Sequence, residues 1–299
     1  MNKAEHFKSG FVAVVGRPNV GKSTMINALI GDKIAIVSDK AQTTRNRIIC
    51  VYTDEEKQIV FMDTPGVHKP KHKLGEFMVD AAIESLKETE AVLFVVAGNE
   101  KRGPGDNFII EQLKRVKVPV FLVVNKIDTL QKEQVLEAIV SYQDAYPFAG
   151  VIPISAKNKE NLSELLNVLG EHLPEGPQYF PEDMITDQPE RLIISDIVRE
   201  KILLSTRDEI PHAIAVDVDE MKTRDDGTTY IRATIYCERD SQKGIIIGNK
   251  GALLRKIGAE ARVDIQKLLA TKVYLDLWVK VKKDWRNKSG MLSELGYKK

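Results

Sequence analysis

Five short motifs of glycine and polar residues stand in a fixed order between residues 16 and 157. The first fits the pattern G-x-x-x-x-G-K-[ST], a loop in which backbone N–H groups and a lysine hold phosphates. The motifs are Gly16-Arg17-Pro18-Asn19-Val20-Gly21-Lys22-Ser23 (followed by Thr24), Thr43-Thr44, Asp63-Thr64-Pro65-Gly66 (followed by Val67), Asn125-Lys126-Ile127-Asp128 and Ser155-Ala156-Lys157. Their order, more than any one of them, predicts a nucleotide-binding domain.

The fourth motif adds a preference for the base. An ionised carboxylate only accepts hydrogen bonds, so Asp128 can receive both N1–H and N2–H2 of guanine, a pair of donors that adenine lacks. The triplet Ser155-Ala156-Lys157 is the weakest of the five signals, because its residues are common and only its place after a strand gives it meaning. Together the motifs predict a site for guanine nucleotides.

The first and third motifs supply groups for triphosphate and magnesium. Lys22 is expected to reach the β- and γ-phosphates, and Ser23 to ligate Mg2+. Asp63, at the end of a predicted strand, is expected to hold Mg2+ through water. The helix that begins at Lys22 presents free N–H groups and the positive end of its dipole to the same phosphates.

Two loops are expected to respond to the γ-phosphate. Thr44 is the threonine predicted to close on Mg2+, with Thr43 as the alternative, and the N–H of Gly66 can bind the γ-phosphate. The predicted catalytic set is therefore Lys22, Thr44, Asp63 and Gly66. In Ras-like switches a glutamine follows this glycine and orients the attacking water, whereas this chain has Val67.

Asn19 suggests a different source of positive charge. In some GTPases an asparagine at this place helps to hold K+ near the phosphates. The alternative is that Asn19 only supports the turn of the loop. K+ is therefore a second candidate cofactor beside Mg2+.

Apolar runs rich in β-branched residues alternate with helical patterns in the first half of the chain, which predicts a mostly parallel sheet with helices on both faces. The predicted strands are Phe11–Val15, Ile48–Tyr52, Ile59–Met62, Ala91–Ala97, Val118–Val124 and Val151–Ile154. The predicted helices are Lys22–Ile30, Glu76–Lys87, Pro104–Val116, Lys132–Asp144 and Asn161–His172. The motif loops then lie at the carboxyl ends of the strands. The overall prediction is an α/β P-loop GTPase domain over residues 1–173.

Residues 174–189 contain several prolines, which predicts an extended linker and hinge. The order that follows, helix, two strands, helix, Gly-x-x-Gly, helix and strand, matches an α+β type II KH-like domain over residues 190–299. In that module the loop clamps the backbone of about four nucleotides. A basic helix is expected at the end of the chain.

The candidate RNA contacts are apolar residues that flank the Gly-x-x-Gly loop, the loop itself and nearby cations. Gly-x-x-Gly alone is a weak signal, since it is often a turn between helices. The candidates are Ile246, Ile247, Gly248, Asn249, Lys250, Gly251, Arg255, Lys256, Lys282 and Lys283. Tyr274 and Trp278 alternate outward on the last strand and could instead pack against the first domain.

Composition narrows the class of protein. The 299 residues have a net charge of +1, so a nucleic-acid site must be a local patch. Cys50 and Cys237 lie in strand-like runs and are expected to be buried thiols of a reduced, cytoplasmic protein. The sequence opens with a polar stretch and has no apolar run long enough for a membrane span.

The chain resembles the bacterial Era GTPases over essentially its whole length. The segments that carry the resemblance are Gly16–Ser23, Gln42-Thr43-Thr44-Arg45, Asp63–Val67, Asn125–Asp128, Tyr179-Phe180-Pro181-Glu182-Asp183 and Gly244–Gly251. The resemblance implies binding of small-subunit (16S) ribosomal RNA near its 3′ end and a role in maturation of the 30S ribosomal subunit. It also implies loose association with the inner face of the cytoplasmic membrane. That family also lacks the catalytic glutamine, so Val67 is in keeping with it.

We therefore expect a monomeric GTPase that hydrolyses GTP and whose RNA binding is coupled to its nucleotide state. One alternative is a membrane-associated signalling or cell-cycle switch whose protein effector binds Thr43-Thr44. Another is a constitutive RNA-binding protein that uses GTP only for stability. Acidic substitution of Gly248 and Gly251 discriminates between them, because it should abolish RNA binding and spare GTP binding only if the loop clamps RNA.

Overall fold

The computed structural model describes residues 6–38, 40, 43–67, 70 and 72–297, so Gln42 of the segment Gln42-Thr43-Thr44-Arg45 lies outside the described residues. The described residues form two compact units. The first unit takes its residues from 1–35, 42–71 and 75–187, and the second from 36–41, 72–74 and 188–299.

The first unit is built on a six-stranded sheet whose strand order is β2-β3-β1-β4-β5-β6. Neighbouring strands are parallel except for β2 and β3, which pair antiparallel. The strands are β1 (Lys8–Val15), β2 (Ile48–Thr53), β3 (Lys57–Asp63), β4 (Ala91–Ala97), β5 (Val120–Asn125) and β6 (Gly150–Pro153). The most apolar runs form the centre, and every residue of β4 and β5 is buried.

Helices cover both faces of this sheet, as predicted. Alternate residues of β1 serve two cores: Val12 and Val14 pack with α1 and α5, whereas Ala13 and Val15 pack with residues of α2, α3 and α4. The helices are α1 (Lys22–Ile30), α2 (Lys73–Glu84), α3 (Pro104–Leu113), α4 (Lys132–Gln143) and α5 (Leu162–His172).

The topology brings four motif loops to one edge of the sheet. The phosphate loop follows β1, Asp63 ends β3, Asn125 ends β5, and Ser155 follows β6. Because these four strands run parallel, their carboxyl ends meet at the same edge.

The proline-containing segment after α5 is extended, but it is hydrogen-bonded to the first unit rather than free. Its residues bridge to Lys8 and Cys50 of the sheet, and the N–H groups of Tyr179 and Phe180 donate to Oε1 of Gln58. The first unit continues to Asp187 and the second begins at Gln188. Most of the predicted linker is thus part of the first unit.

The second unit has a three-stranded mixed sheet of order β7-β8-β9, in which β7 and β8 are antiparallel and β8 and β9 parallel. Its strands are β7 (Ala215–Thr223), β8 (Thr229–Cys237) and β9 (Val273–Val281). Its helices are α6 (Glu190–Ser205), α7 (Ile210–Ala213), α8 (Asp240–Ile247), α9 (Ala252–Leu269) and α10 (Ser289–Glu294). Helices α6, α8 and α9 pack their apolar sides against one face of this sheet. This is the predicted KH-type arrangement.

The end of the chain differs from the prediction of a basic helix. The last helix, α10, contains no lysine or arginine, and the basic residues lie in β9 and in residues 282–288, between β9 and α10. Trp285 is fully buried and its indole N–H donates to the carbonyl of Ala213, so it cannot stack on a base. The aromatic residue in this stretch serves packing, which the sequence pattern did not reveal.

Candidate functional site

The phosphate loop encloses Lys22. Its ammonium donates to the carbonyls of Gly16 and Arg17 at 3.1 Å, and the side chain is buried. Burial lowers the pKa of Lys22 to about 8, and the nearby Asp63 carboxylate opposes the shift. A desolvated ammonium next to free N–H groups at the start of α1 suits a multiply charged anion.

Ser23, Thr44 and Asp63 form one polar cluster. The Ser23 hydroxyl donates to Oδ2 of Asp63 at 2.8 Å, and the Thr44 hydroxyl lies 2.9 Å from Ser23 Oγ and 3.2 Å from Asp63 Oδ2. Burial raises the pKa of Asp63, against the attraction of Lys22 and the hydrogen bonds it accepts. Thr44 is 5% exposed, so its side chain offers little to a protein effector.

The donor set of this cluster fits Mg2+. Oδ1 of Asp63 is buried and has no hydrogen-bond partner, an arrangement that costs free energy unless a cation or water satisfies the atom. A carboxylate and two hydroxyls are hard oxygen ligands of the kind that Mg2+ prefers. Among the described residues, no group of three or more His, Cys, Asp or Glu side chains could hold a metal ion.

The side chains of Val20, Thr64 and Val67 are buried, so these residues can meet a ligand only through their backbone. Val20 is fully buried, and the hydroxyl of Thr64 donates to the carbonyl of Val14 at 2.6 Å. Val67 is 4% exposed and packs in the sheet core, while its N–H donates to Gly16 at 3.2 Å. The residue in the place of the glutamine therefore faces away from solvent.

Arg17 is held by two carboxylates, which the sequence motifs did not predict. Its guanidinium lies 2.9 Å from Glu100 and 2.9 Å from the fully buried Asp106 of α3. Asp106 also accepts the N–H of Gly103, a capping contact at the start of that helix. The only sequence signal is an acidic residue at the third position of α3, which by itself indicates a helix cap.

Asn125 ties three motif loops together. Its side-chain NH2 donates to the carbonyl of Val20 at 2.9 Å, and its Oδ1 accepts the N–H groups of Lys126 and Ala156 at 2.8 and 3.0 Å. A Cβ at Gly21 would collide with this amide, so glycine is required there. The amide of Asn125 therefore positions the loops.

Asp128 is exposed and oriented by Ser155. The buried Ser155 hydroxyl donates to Oδ1 of Asp128 at 2.7 Å and accepts the N–H of Asn158. Lys126 has a left-handed backbone, with φ of 68°, and its ammonium lies 3.8 Å from Glu100. The remaining predicted residues lie around this edge: Thr24 and Pro18 half-buried, Pro65 and Ala156 buried, and Asn19 and Lys157 exposed.

The Gly-x-x-Gly loop of the second unit joins α8 to α9. Lys250 has a φ of 47°, and its carbonyl accepts a hydrogen bond from Arg255 at 3.1 Å. Asn249 and Lys250 are exposed, as are Arg255 and Lys256 one turn into α9. The loop and the first turns of α9 thus present polar and cationic side chains to solvent.

The apolar flank of this loop is only partly available. Ile247, Leu253 and Leu254 are half-buried beside the core, whereas Ile246 is fully buried within it. The prediction that Ile246 contacts RNA is therefore wrong, because α8 turns that residue toward the sheet. Lys282 and Lys283 are exposed just after β9.

No helix among residues 6–38, 40, 43–67, 70 and 72–297 is long and apolar enough to cross a membrane. The fold and its loops define a class: a P-loop guanine-nucleotide-binding protein with a C-terminal KH domain. Residues 11–126 match the family model of a "50S ribosome-binding GTPase", and residues 209–286 match that of a KH domain.

Two solved structures resemble the whole chain. One is a variant of Aquifex aeolicus Era bound to GDP and AlF4−, at 43% identity, with a TM-score of 0.94, covering 97% of this chain and 99% of that one. The other is Era with MgGDPNP and nucleotides 1506–1542 of 16S ribosomal RNA, at 43% identity, with a TM-score of 0.95, covering 98% and 99%. The chain belongs to the Era GTPase family.

Proposed function

We propose that this chain binds and hydrolyses GTP with Mg2+, binds 16S ribosomal RNA near its 3′ end, and acts in 30S subunit maturation. The cluster of Ser23, Thr44 and Asp63 beside the buried Lys22 is the observation that carries the enzymatic part. The Era complexes with GDP–AlF4−, MgGDPNP and the rRNA fragment support both halves of the proposal.

In this proposal the phosphate end of the site works mainly by electrostatics. Lys22 neutralises the β- and γ-phosphates, and the N–H groups of the loop and of Gly66 bind their oxygens. Ser23, Thr44 and Asp63 hold Mg2+, which supplies positive charge to the leaving phosphates when bound.

The base end selects guanine through Asp128. Ser155 positions one carboxylate oxygen, and Asn125 keeps the three loops in register. Lys126 can lay its aliphatic stem over the base, while Ala156 and Lys157 flank it. Guanine selection thus depends on one exposed carboxylate held by one buried hydroxyl.

Hydrolysis needs a group other than a glutamine or an arginine of the loop. Val67 is buried, and Arg17 is neutralised by Glu100 and Asp106. We propose that Asn19, exposed on the phosphate loop, helps to hold K+ there. Turnover of the unaltered chain should then be faster in KCl than in NaCl, and Asn19→Ala should remove the difference. Equal turnover of the unaltered chain in the two salts would contradict the K+ site.

The RNA half of the proposal can be tested with a matched pair of glycines. Gly251 in the Gly-x-x-Gly loop and Gly227 in the β7–β8 turn share a φ of 78°, and a Cβ at either would have no neighbour within 4 Å. Asp at either position therefore costs similar backbone strain. Gly251→Asp should abolish binding of an oligonucleotide copying the rRNA 3′ end, whereas Gly227→Asp should not. Equal RNA affinity of the two variants would contradict the assignment of the loop.

Two short segments of the second unit support a proposal that nucleotide and RNA binding are coupled. That unit includes residues from 36–41 and 72–74, the segments next to Thr44 and to the Asp63–Val67 motif. Within it, the N–H of Val37 donates to Glu200 of α6 at 2.9 Å. We propose that the γ-phosphate, by ordering Thr44 and Gly66, changes these attachments and so the RNA affinity.

We further propose that the chain is a cytoplasmic monomer that associates loosely with the inner membrane surface. The exposed cations near the RNA loop are compatible with an anionic lipid surface. Sedimentation equilibrium tests the first point, and co-sedimentation with vesicles containing anionic or only zwitterionic lipid tests the second. Failure to co-sediment with anionic vesicles would remove the membrane from the proposal.

A further inference from the structure

The outer face of the β7–β9 sheet carries exposed aromatic side chains that the proposed function does not use. Tyr274 and Trp278 of β9 are each 53% exposed. Successive side chains of a strand point to opposite faces of the sheet. Val273 and Val279 point into the core beneath the helices, so Tyr274 and Trp278 lie on the opposite face. Large aromatic rings left in water on a sheet face indicate an interaction surface.

The rings are arranged with cations over them. Tyr230 and Tyr274 stack with centroids 5.9 Å apart and planes at 15°. The guanidinium of Arg224 lies 4.8 and 4.9 Å from the two centroids, and the ammonium of Lys222 lies 5.5 Å from that of Tyr230. Such an assembly binds flat aromatic groups that carry negative charge nearby.

Asp276 fixes the positions of the neighbouring groups. One of its carboxylate oxygens accepts hydrogen bonds from the indole N–H of Trp278 at 3.0 Å, the Tyr230 hydroxyl at 3.0 Å and Arg232 at 3.2 Å. These bonds hold the pKa of Asp276 below its ordinary value, although partial burial acts against them.

Cations lie nearest the tyrosine rings, and carboxylates lie among them. Lys222 and Arg232 pair with Glu220 and Asp276, Asp226 lies near Arg224, and Asp219 accepts a hydrogen bond from Thr234 at 2.6 Å. The cations over the tyrosine rings are the groups that can bind phosphate. An oligonucleotide offers the matching combination of base planes and phosphates. A protein partner would more commonly meet an apolar centre with a polar rim than rings under cations.

The surface is continuous with the RNA loop through β9. That strand is at the edge of the sheet, and the side chain of Leu277 on its inner side contacts Gly258 of α9, the helix that follows the Gly-x-x-Gly loop. Tyr274 and Trp278 are on the outer side of the same strand. In the proposal that follows, a single strand leaves the loop and crosses the free edge of β9 to reach these rings.

We propose that single-stranded nucleotides flanking those clamped by the loop stack on Tyr274 and Trp278, with Lys222 and Arg224 binding their phosphates. The two rings are four residues apart, or about 13 Å along the strand, so they contact different nucleotides. This inference rests on the proposed RNA binding by the second unit, and it adds a second subsite to it.

The test compares RNAs of different length on the full-length chain. One RNA has six nucleotides and fills only the loop, and two others carry eight further single-stranded nucleotides at the 5′ or the 3′ end. Trp278→Ala and Tyr274→Ala should each weaken binding of one of the long RNAs by roughly 5- to 150-fold, the usual effect of losing one stacked base. Neither should change the affinity for the six-nucleotide RNA.

Controls separate stacking from damage to the fold. Trp278→Phe keeps a ring and should restore most of the affinity. Phe108→Ala removes another exposed aromatic residue, in the first unit, and should have no effect. Lys222→Gln should make the negative slope of log K against log salt less steep by about 0.7 for a long RNA whose phosphate Lys222 binds.

Four results would overturn the inference. They are unchanged affinity of both alanine variants for both long RNAs, equal losses for the short and long RNAs, equal losses when the eight flanking nucleotides are paired into a duplex by a complementary strand, and no restoration by Trp278→Phe. If the unaltered chain bound none of the RNAs, the proposed function itself would fail, and the inference with it. Short-RNA binding distinguishes the two failures.

Discussion

Replacing Asp128 by asparagine tests whether the Asp128 carboxylate selects guanine. The carboxylate is exposed toward the motif loops and has one oxygen oriented by Ser155 at 2.7 Å. In our account it accepts two hydrogen bonds from guanine, and asparagine can accept only one because its NH2 faces the N2–H2 donor. Xanthine has a carbonyl at that place and can accept from the asparagine NH2.

The magnitude follows from the hydrogen bonds exchanged. Two charge-assisted bonds contribute about 1.5–3 kcal/mol each, and one neutral bond of about 1 kcal/mol remains in the variant. The net loss of about 2–5 kcal/mol corresponds to a roughly 30- to 5,000-fold higher Kd for GDP. Affinity for XDP should rise over the same change.

Competition with a fluorescent nucleotide measures both values. The matched control is Asp144→Asn, which removes an exposed carboxylate after α4 and should leave both affinities unchanged. Ser155→Ala should weaken GDP binding to a smaller extent without creating a preference for xanthine. A variant Asp128→Asn that still prefers GDP to XDP would refute the assigned role of Asp128.

Three further outcomes are expected. Lys22→Ala should raise the Kd for a non-hydrolysable GTP analogue at least roughly 100-fold, because the β- and γ-phosphates each lose a charged contact with the buried ammonium. Nucleotide titration measures this Kd. Asp106→Asn should lower the free energy of unfolding by about 1–3 kcal/mol and weaken nucleotide binding, because Arg17 loses its buried carboxylate partner. Denaturant unfolding measures the first effect, and nucleotide titration measures the second. Cys50 and Cys237 are buried free thiols whose pKa values are raised, so a thiol reagent should label them only after unfolding.

Contrary results are equally definite. Tight analogue binding by Lys22→Ala would remove that lysine from the phosphate site, as would an equal loss in the exposed-residue control Lys132→Ala. Full stability of Asp106→Asn would mean that Glu100 alone holds Arg17. Rapid labelling of the native protein would contradict the burial of the cysteines.

Long apolar runs were the most predictable part of the fold. The predicted bounds of α1 and β4 coincide with the observed ones. Glycines flank α1, and Glu90 and Gly98 flank β4, which is an uninterrupted apolar run. The helix Ile210–Ala213 escaped prediction because four residues including a proline carry no period. The C-terminal basic helix was wrong because charge alone does not indicate a helix.

The site could be predicted as motifs but not as a set of contacts. The grouping of the motif loops follows from the parallel strand order, which the alternating pattern predicted. The bonds from Asn125 to Val20 and Ala156 join residues far apart in the chain, and no local pattern reports them. The burial of Ile246 escaped for a related reason, since a helix as short as α8 does not reveal which of three adjacent isoleucines faces the core.

The pairing of Arg17 with Glu100 and Asp106 illustrates the same limit. Each residue has an ordinary local explanation, as part of a loop, a turn and a helix cap. Their convergence is set by packing of α3 beside the phosphate loop.

The most direct test of the central claim is the affinity for a single-stranded copy of the rRNA 3′ end, measured with the chain loaded with a non-hydrolysable GTP analogue, with GDP, or with no nucleotide. The account predicts markedly tighter binding in the triphosphate state, and loss of that binding in Gly251→Asp. Equal affinity in all three states would contradict the coupling of nucleotide to RNA, and weak binding throughout would contradict the RNA function.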